Sequence, residues 1–280
     1  MSYVTRKITF FDPVKTALSG QAFRITKIDD DHTELVARGR YLQIASLGDD
    51  MFAFSCDEKE FCDIWEDHLD LRTDYGKIVS SVRSDDTYLK EAAEYGRGIR
   101  ILRQEVFETI ISYIISQRRS IPSITTCVNR ISKIAGNRII PVIPQGPFAA
   151  PLQDEYYSFP DASSILAASD KLDDAGLGYR LPYVLSACRD WESGKITEEM
   201  LKEADDDKLY KILTDMYGVG TKVANCIMLF ALHRTGRFPV DVWIKRIEDK
   251  YYGGAFDTSP YPETAGIMQQ FMFFYERTKG

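Results

Sequence analysis

The segment Met216-Tyr-Gly-Val-Gly-Thr-Lys-Val-Ala-Asn-Cys226, followed by Pro239-Val-Asp241, carries the strongest structural signal in this chain. Gly218 and Gly220 allow a tight turn whose backbone can approach another molecule closely. The turn leads directly into an apolar helical run, and the exposed N–H groups at a helix start form a ready site for a phosphate. The pattern predicts a hairpin between two helices that holds a nucleic-acid backbone without reading its sequence.

An amine and a carboxylate accompany this turn. Lys222 lies in the first turn of the helix, and Asp241 follows 19 residues later. A carboxylate can stabilise positive charge on a sugar, and an amine can bond covalently to its C1′ carbon. Lys222 and Cys226 share one helix face at spacing i, i+4. The pair predicts a DNA-repair glycosylase, although Lys222 alone could bind a phosphate and Asp241 alone could cap the next helix.

Composition limits the class of protein. The chain has 280 residues, 44% of them hydrophobic, enough for two domains or one large one. It lacks a run of about 18 apolar residues and a signal-peptide segment, so we expect no membrane partner and a cytoplasmic, nucleoid-associated protein. The scattered cysteines predict a reducing compartment, no disulfides and no metal cluster; they are Cys56, Cys62, Cys127, Cys188 and Cys226.

The charge of the chain is unevenly distributed. The net charge is −7, yet residues 95–140 contain eight Lys/Arg and two Glu, a balance of +6 that leaves −13 for the remainder. Because salt screens such fields within about 10 Å, a basic patch on an acidic body can still bind DNA. The alternative interpretation is that these charges are solvated helix faces.

The hydrophobic pattern changes along the chain. Short alternating segments separated by Asp- and Gly-rich turns predict an antiparallel sheet in residues 1–87, covered by a short helix at 58–68. From about residue 88 the period becomes helical. We therefore expect an α+β protein with an antiparallel β domain at 1–87 and a helical core at 88–280. The core helices are predicted at 106–116, 124–135, 162–169, 181–193, 201–216, 221–233 and 263–276, with a loop at 145–160.

The chain resembles the helix–hairpin–helix DNA glycosylases, and among them the 8-oxoguanine DNA glycosylase branch. The resemblance covers nearly the whole length and rests on several motifs in the expected order. They are residues 19–24 (Ser-Gly-Gln-Ala-Phe-Arg), 98–105 with 108–117, 176–180 (Gly-Leu-Gly-Tyr-Arg), 218–226 and 239–242.

The resemblance implies a bifunctional enzyme. It makes Lys222 the nucleophile and Schiff-base former, and it makes Asp241 the group that stabilises the sugar cation and helps to activate Lys222. Base excision would then be followed by β-elimination of the 3′ phosphate. Superfamily members without the lysine are monofunctional, so Lys222 argues against the 3-methyladenine type.

A base pocket is also implied. Oxidation of guanine at C8 turns N7 from an acceptor into a donor, so a backbone carbonyl of Gly20 aimed at N7 would separate the two bases. By resemblance, Gln269 reads the Watson–Crick edge of the base, and Phe273 and Cys226 stack on its two faces. From the residues alone, Phe273 could be plain core, and Gln270 could be mistaken for Gln269.

The implied partner is damaged double-stranded DNA, bound by a monomer. By resemblance, Tyr179 enters the base stack and Arg180 hydrogen-bonds the orphaned base, although Tyr179 could simply close its loop. The predicted DNA contacts are Arg118, Tyr179, Arg180, Gly218 and Gly220. No cofactor is expected, apart from a monovalent or divalent cation that could bridge the hairpin to a DNA phosphate.

Three positions depart from the family pattern. Arg118 falls where an Asn usually fills the emptied stack, and Ser123 falls where many relatives place a second Arg on the estranged cytosine. Trp243 replaces a His that contacts phosphate in animal-type members. The missing Arg at Ser123 predicts looser selectivity for the opposite base.

Two other functions fit part of the pattern. One is a helix–hairpin–helix glycosylase for another damaged purine, and the other is a non-catalytic helix–hairpin–helix DNA-binding protein. Lys222 with Asp241 favours an enzyme over a binding module. The set of Gly20, Gln269 and Phe273 favours an oxidised purine over an alkylated one.

Overall fold

The N-terminal part of the chain forms one antiparallel sheet. The computed structural model describes residues 2–279, so the outer limits of the two predicted domains, Met1 and Gly280, lie outside the described residues. Five strands follow the order β1-β5-β4-β3-β2. Their bounds are Val4–Lys7 (β1), Ile25–Lys27 (β2), His32–Ala37 (β3), Arg40–Ser46 (β4) and Met51–Phe54 (β5). The sequence pattern located β2 to β5 and missed β1, in which only Val4 is buried.

A helical segment covers the apolar face of the sheet, as expected at residues 58–68. It consists of α2 (Glu58–Glu60), a π-helical turn (Phe61–Trp65) and α3 (Glu66–His68). Asp57 caps its start by accepting from the Glu60 N–H at 2.8 Å. The sheet core includes the ring pair of Phe54 and Phe61, whose centroids lie 4.8 Å apart. A further short helix, α1 (Pro13–Leu18), precedes β2 and was not predicted.

The remainder is mainly helical. The helices are α4 (Tyr75–Ser80), α5 (Thr87–Tyr95), α6 (Val106–Ile115), α7 (Ile121–Ala135), α8 (Ala162–Ala167), α9 (Leu181–Glu192), α10 (Glu198–Glu203), α11 (Asp206–Thr214), α12 (Thr221–Phe230), α13 (Val242–Tyr251) and α14 (Ala265–Lys279), with 3-10 turns at Ser169–Ala175 and Gly178–Arg180. The apolar segment in α6 is buried almost all round, as its pattern predicts. It therefore forms the centre of the helical core.

Several predicted boundaries are wrong for local reasons. The single helix expected at 201–216 is two helices, because Asp205 leaves the helical path and caps α11 by accepting from the Lys208 N–H at 2.9 Å. The helix expected at 221–233 ends at Phe230. The last helix begins at Ala265 rather than Glu263 and continues to Lys279.

The predicted loop at 145–160 contains a short strand. Residues Tyr156–Tyr157 (β7) pair antiparallel with Arg138–Ile139 (β6). The buried residues form one cluster around the sheet and a larger one around α6, and Tyr75 already belongs to the larger cluster. The domain division at residue 87 stays a prediction. Of the helices within residues 2–279, none has the length and apolar composition needed to cross a bilayer.

Candidate active site and nucleic-acid interface

The two glycines of the hairpin have different surroundings. Gly218 adopts φ +84°, and a Cβ there would lie 2.4 Å from the Tyr183 ring. Gly220 has an extended backbone (φ −99°), and a Cβ there would meet open space. Gln117 holds the turn from behind, because its side-chain amide donates to the Gly218 carbonyl at 2.9 Å. Gly218 is therefore required by the packing of the hairpin, whereas Gly220 leaves room for an approaching molecule.

The hairpin opens into α12 without a side-chain cap. Gly220 is the N-cap residue, and the first intrahelical bond runs from the Ala224 N–H to the Gly220 carbonyl at 2.9 Å. The N–H groups of residues 221–223 therefore lack intrahelical acceptors. Together with the helix dipole, they form an anion site of the kind that the sequence predicts.

Lys222 points from this helix start toward a buried aromatic residue. Its Nζ lies 5.3 Å from the ring centroid of Tyr113 on α6. Tyr113 is buried, donates its hydroxyl to the Gln21 carbonyl at 3.0 Å and stacks on Phe230 with ring centroids 5.5 Å apart. Among residues 2–279, no carboxylate forms an ion pair with Lys222. The half-buried amine thus lies over the π face of a buried tyrosine.

Asp241 begins α13 and caps it. A single oxygen, Oδ1, accepts from the N–H groups of Trp243 and Ile244, both at 2.9 Å. From the sequence, Asp241 could be both a cap and a catalytic group, because a cap is rigidly placed. The geometry permits both, because the cap uses Oδ1 and leaves Oδ2 for the site.

Lys222 and Asp241 act on the same neighbours. Burial raises the pKa of the Cys226 thiol, the positive charge of Lys222 opposes this rise, and the carboxylate of Asp241 adds to it. Burial also raises the pKa of Tyr113, with smaller contributions from Cys226 and Asp241. Lys222 therefore lies beside Cys226 and Tyr113, and the charge of Asp241 acts on the thiol and the phenol.

The predicted pocket residues fall into two contacting groups. Gly20 adopts φ +79°, and Phe273 Cε1 lies 3.4 Å from the position that a Cβ on Gly20 would occupy. Cys226 belongs to the other group, with its helix neighbour Lys222. Gln21 connects the two groups, because it follows Gly20 in the chain and its carbonyl accepts from the Tyr113 hydroxyl.

The structure distinguishes the two neighbouring glutamines. Gln270 is buried and donates its side-chain amide to the Ser19 carbonyl at 3.0 Å, which is a structural role. Gln269 is 5% exposed, and its Oε1 has no hydrogen-bond partner. A buried acceptor without a donor is costly, so Gln269 is the side chain equipped to receive a ligand. The contact of Gln269 with a base stays a prediction.

The predicted DNA-contact residues lie near the hairpin but differ in accessibility. Tyr179 is 52% exposed, and Arg118 is exposed with φ +53°. Arg180 is 5% exposed, its Nε donates to the Gln117 carbonyl at 2.9 Å, and its Cζ lies 4.2 Å from the Tyr179 ring centroid. In this state Arg180 supports the loop under Tyr179, so contact with an orphaned base would require its release.

The basic balance of residues 95–140 does not form one patch. Arg100 is buried and donates to backbone carbonyls, and Arg103 pairs with Asp70 at 3.0 Å. Both are structural cations, because their charges are used inside the protein. The exposed part of the predicted basic patch is thus narrower than the sequence balance implied; Arg118, Arg130 and Lys133 belong to it.

All five cysteines are free. Within residues 2–279, no three His, Cys, Asp or Glu side chains gather in a way that could hold a metal ion. A cleft of about 350 Å³ lies between the sheet and α7, lined by Arg24, Glu34, Lys133 and Tyr156 among others. None of the predicted catalytic or pocket residues lines it.

Several site residues were missed from the sequence. Tyr113 was treated as part of an apolar helix, and Tyr183 as an ordinary helix residue. Gln21 lies in the motif at residues 19–24 and Gln117 in the motif at residues 108–117, and neither was predicted to have a role. A polar or phenolic residue within an otherwise apolar segment is the signal that could have identified Tyr113.

Comparison with known proteins places these features in a family. Residues 4–110 match the family model described as 8-oxoguanine DNA glycosylase, N-terminal domain. The N-glycosylase/DNA lyase of Saccharomyces cerevisiae is 33% identical over 183 residues, which cover 61% of this chain and 46% of the yeast protein. The match therefore spans about half the length of that relative.

Solved structures match over the full fold. A structure of MBOgg1 in complex with a low-affinity DNA ligand is 32% identical, covers 100% of both chains and has a TM-score of 0.88. The apo-form of the Clostridium acetobutylicum 8-oxoguanine glycosylase/lyase is 29% identical, covers 98% of this chain and 96% of that chain, and has a TM-score of 0.87.

Proposed function

The chain belongs to the 8-oxoguanine DNA glycosylase family, and from this premise we propose that it excises 8-oxoguanine from duplex DNA and then cleaves the strand as a lyase. The names of its relatives, N-glycosylase/DNA lyase and 8-oxoguanine glycosylase/lyase, support both activities. The observation that carries the proposal is Lys222 at the open start of α12, with its Nζ 5.3 Å from the Tyr113 ring centroid, together with Asp241 held by its cap at the start of α13.

DNA binding begins at the open start of α12. The unpaired N–H groups beside Gly220 hold a backbone phosphate, and the bare glycine lets it approach. The base must leave the stack before its C1′ bond can be reached, at a cost of a few kcal/mol. Tyr179, exposed on the neighbouring loop, fills or kinks the stack at this point.

The chemistry uses the amine of Lys222 and the free oxygen of Asp241. The neutral amine bonds to C1′ as the C1′–N9 bond breaks, and the base leaves with the electron pair and takes up a proton. The negative charge of Asp241 stabilises the positive charge that develops on the sugar. The nitrogen loses a proton and the sugar ring opens, with a proton going to O4′, which leaves a protonated imine between Lys222 and C1′.

Strand cleavage follows from the same imine. Loss of a proton from C2′ sends its electron pair into a C2′–C3′ double bond and expels the 3′ phosphate. Water then hydrolyses the imine and returns the free amine of Lys222. The sequence of steps is complete without an added oxidant, reductant or cofactor.

The pocket reads the base through complementary groups. The carbonyl of Gly20 accepts from N7–H of the oxidised base and repels the lone pair of guanine N7. The unpaired Oε1 of Gln269 accepts from the donors on the Watson–Crick edge. Phe273 and Cys226 take the two faces of the ring. Each polar contact is worth roughly 1–3 kcal/mol of discrimination.

Selectivity for the opposite base is part of the proposal. Ser123 is exposed in the first turn of α7 and is too short to replace an arginine at the estranged base. Arg118 is exposed beside the hairpin, whereas Arg119, which lies between Arg118 and Ser123, donates to the Gly176 carbonyl. We therefore expect excision opposite C, A, G and T at comparable rates, measured on four matched duplexes; cutting confined to C would reject this part.

The proposal also covers the oligomeric state, the location, a hairpin-bound cation and the role of Trp243. The protein acts as a monomer in the cytoplasm, in association with the nucleoid. A hairpin-bound cation would have to use backbone carbonyls, and the Gly218 carbonyl already accepts from Gln117. The exposed Trp243, over which Arg246 lies with Cζ 5.4 Å from the ring centroid, alters the grip on the backbone and leaves the chemistry unchanged.

Borohydride trapping tests the proposal directly. Wild type and Lys222→Gln are incubated with a duplex that carries one 8-oxoguanine opposite cytosine, and the covalent adducts are resolved by size. A trapped adduct from wild type alone supports Lys222 as the nucleophile and the lesion as substrate. Base release without an adduct would contradict the lysine mechanism. If wild type gives neither an adduct nor base release, the main function is rejected. Alkylated purines are then tested, and after them a pure DNA-binding role.

A further inference from the structure

A third residue shares the pocket face of α14. Gln269, Phe273 and Arg277 follow one another at intervals of four residues, so they lie along one side of the helix. The first two are already assigned to the base. Arg277 lies one turn beyond Phe273, where the chain has no assigned function.

The guanidinium of Arg277 lies at the corner formed by Gly20 and Phe273. Its Nη1 is 2.8 Å from the position that a Cβ on Gly20 would occupy, and Phe273 Cε1 is 3.4 Å from the same point. Its Cζ lies 5.2 Å from the Phe273 ring centroid. Ile121 Cδ1 shares this corner, 2.6 Å from the same Cβ position.

The guanidinium has more donors than the protein uses. Nη2 donates to the Leu18 carbonyl, whereas Nη1 is buried without a hydrogen-bond partner. No carboxylate within residues 2–279 forms an ion pair with it, and burial lowers the pKa of Arg277. A buried charged donor without an acceptor is costly, so the free state holds a donor that a ligand can satisfy.

We propose that Arg277 Nη1 donates to the oxygen at C8 of the flipped base, so that the enzyme reads the lesion oxygen directly. This inference rests on the proposed function. C8 is bonded to N7, so a base whose N7–H meets the Gly20 carbonyl presents its C8 oxygen at the same corner. Two adjacent atoms of the lesion would then meet an acceptor and a donor that also lie side by side.

The pair of contacts explains rejection of guanine more fully than either contact alone. Undamaged guanine has a hydrogen at C8, so Nη1 would stay unpaired in the closed pocket. Its N7 lone pair would face the Gly20 carbonyl. A base that leaves buried polar groups unpaired is strongly disfavoured relative to one that satisfies them.

A structural role for Arg277 predicts a different outcome. The guanidinium could merely fix the Phe273 ring through its cation–π contact and the Gly20 turn through Leu18. Loss of that support would slow every base that stacks on Phe273 by the same factor. Loss of a contact to the C8 oxygen would slow only a base that has this oxygen.

The test is a cycle of two enzymes and two bases. Single-turnover excision is measured for wild type and Arg277→Leu on 8-oxoguanine and on 8-thioguanine, which keeps N7–H but has a weaker acceptor at C8. Wild type should excise 8-oxoguanine about tenfold faster than 8-thioguanine. Arg277→Leu should slow 8-oxoguanine about 10- to 100-fold and bring the two bases within about threefold, as expected for loss of a charged hydrogen bond.

A matched control separates this contact from a general loss of positive charge. Arg6 also lies over an aromatic ring, with Cζ 4.7 Å from the Phe61 centroid, but in β1 of the sheet. Arg6→Leu should behave as wild type on both bases. Cleavage of a ready-made abasic site, which has no base to read, should be unchanged within about twofold in both variants.

The possible failures are distinguishable. Equal slowing of both bases by Arg277→Leu would overturn the oxygen contact and support the structural role. Wild type that cleaves abasic sites but releases neither base would reject the proposed function, and this inference with it. If Arg277→Leu does not fold, Arg277→Lys replaces it. That variant keeps a charge near Phe273 but lacks two separate nitrogens. Its excision rates on 8-oxoguanine and 8-thioguanine should therefore still be similar.

Discussion

The two helix starts that carry the predicted chemistry are built in opposite ways. At α12 the N-cap is Gly220, no side chain satisfies the first N–H groups, and the space around the glycine is open. At α13 the N-cap is Asp241, whose Oδ1 already accepts from Trp243 and Ile244. One start is left open and the other is closed by its own residue.

The difference shows how one element serves two purposes. An open start presents backbone donors and a partial positive charge to an external anion, so it suits a DNA phosphate. A closed start uses those donors to fix a carboxylate, so it suits a group that must not move during reaction. Lys222 on the open start lies over the Tyr113 ring, whereas Asp241 on the closed start is fixed by its own cap bonds.

Replacing Asp241 should have the largest effect and should separate its two roles. Asn caps helices about as well as Asp, so Asp241→Asn should lose roughly 10²- to 10³-fold in base excision with little change in stability. Asp241→Ala should lose a similar amount of activity and, in addition, about 1 kcal/mol in the free energy of unfolding. Single-turnover rates and urea unfolding measure the two quantities.

The outcome has a clear contrary result. If Asp241→Asn keeps its excision rate while Asp241→Ala loses both rate and stability, the carboxylate is only a cap. Trp243→Phe on the same helix start serves as the matched control, since the cap bonds the backbone of that residue and not its side chain.

Substitution of the two hairpin glycines should change the free energy of unfolding by different amounts. Gly218→Ala places a methyl group at positive φ and against the Tyr183 ring, so the free energy of unfolding should fall by about 2–4 kcal/mol. Gly220→Ala meets no neighbour and has an ordinary φ, so it should cost less than about 1 kcal/mol. Thermal or urea unfolding of both variants makes the comparison; equal losses would show that the turn relaxes around a side chain.

The sequence predicted the open start more fully than the closed one. Gly-Val-Gly before an apolar run identified the hairpin, α12 and Lys222, because backbone conformation and periodicity are local properties. Asp241 was recognised, but the sequence could not say whether it caps or reacts. The fold shows that the cap uses Oδ1, and the catalytic role of Asp241 stays a prediction.

Contacts between distant segments could not be predicted from the sequence either, because they too depend on the fold. The proximity of Lys222 to Tyr113 joins residues more than 100 positions apart, and so does the bond from Gln117 to Gly218. The predicted basic patch was too broad, because Arg100 is buried by neighbours that lie far from it in the chain. The split of 201–216 into two helices was within reach, since Asp205 is a good N-cap residue.

Closing the open start should trade DNA affinity for stability. Gly220→Asp supplies the missing cap to α12, which should raise the free energy of unfolding by a few tenths of a kcal/mol. The same carboxylate occupies the N–H groups and repels phosphate, so duplex affinity at moderate salt should fall about tenfold or more. Fluorescence anisotropy and urea unfolding measure the two changes. Gly220→Asn caps without charge and should show a smaller loss of affinity; unchanged binding by both variants would mean that no phosphate is held there.

The smallest effect should come from the residue that supports the open start from behind. Gln117→Met removes the amide that donates to Gly218, which should cost about 1 kcal/mol in stability. Hydrogen exchange should show where that loss is felt. In wild type, the amides of residues 221–223 should exchange quickly because they lack acceptors, whereas those of Trp243 and Ile244 should be protected by Asp241. The substitution should speed exchange in residues 218–224 and leave α13 unchanged. Faster exchange at both starts would mean that they unfold together, because local support by Gln117 predicts a response at the hairpin alone.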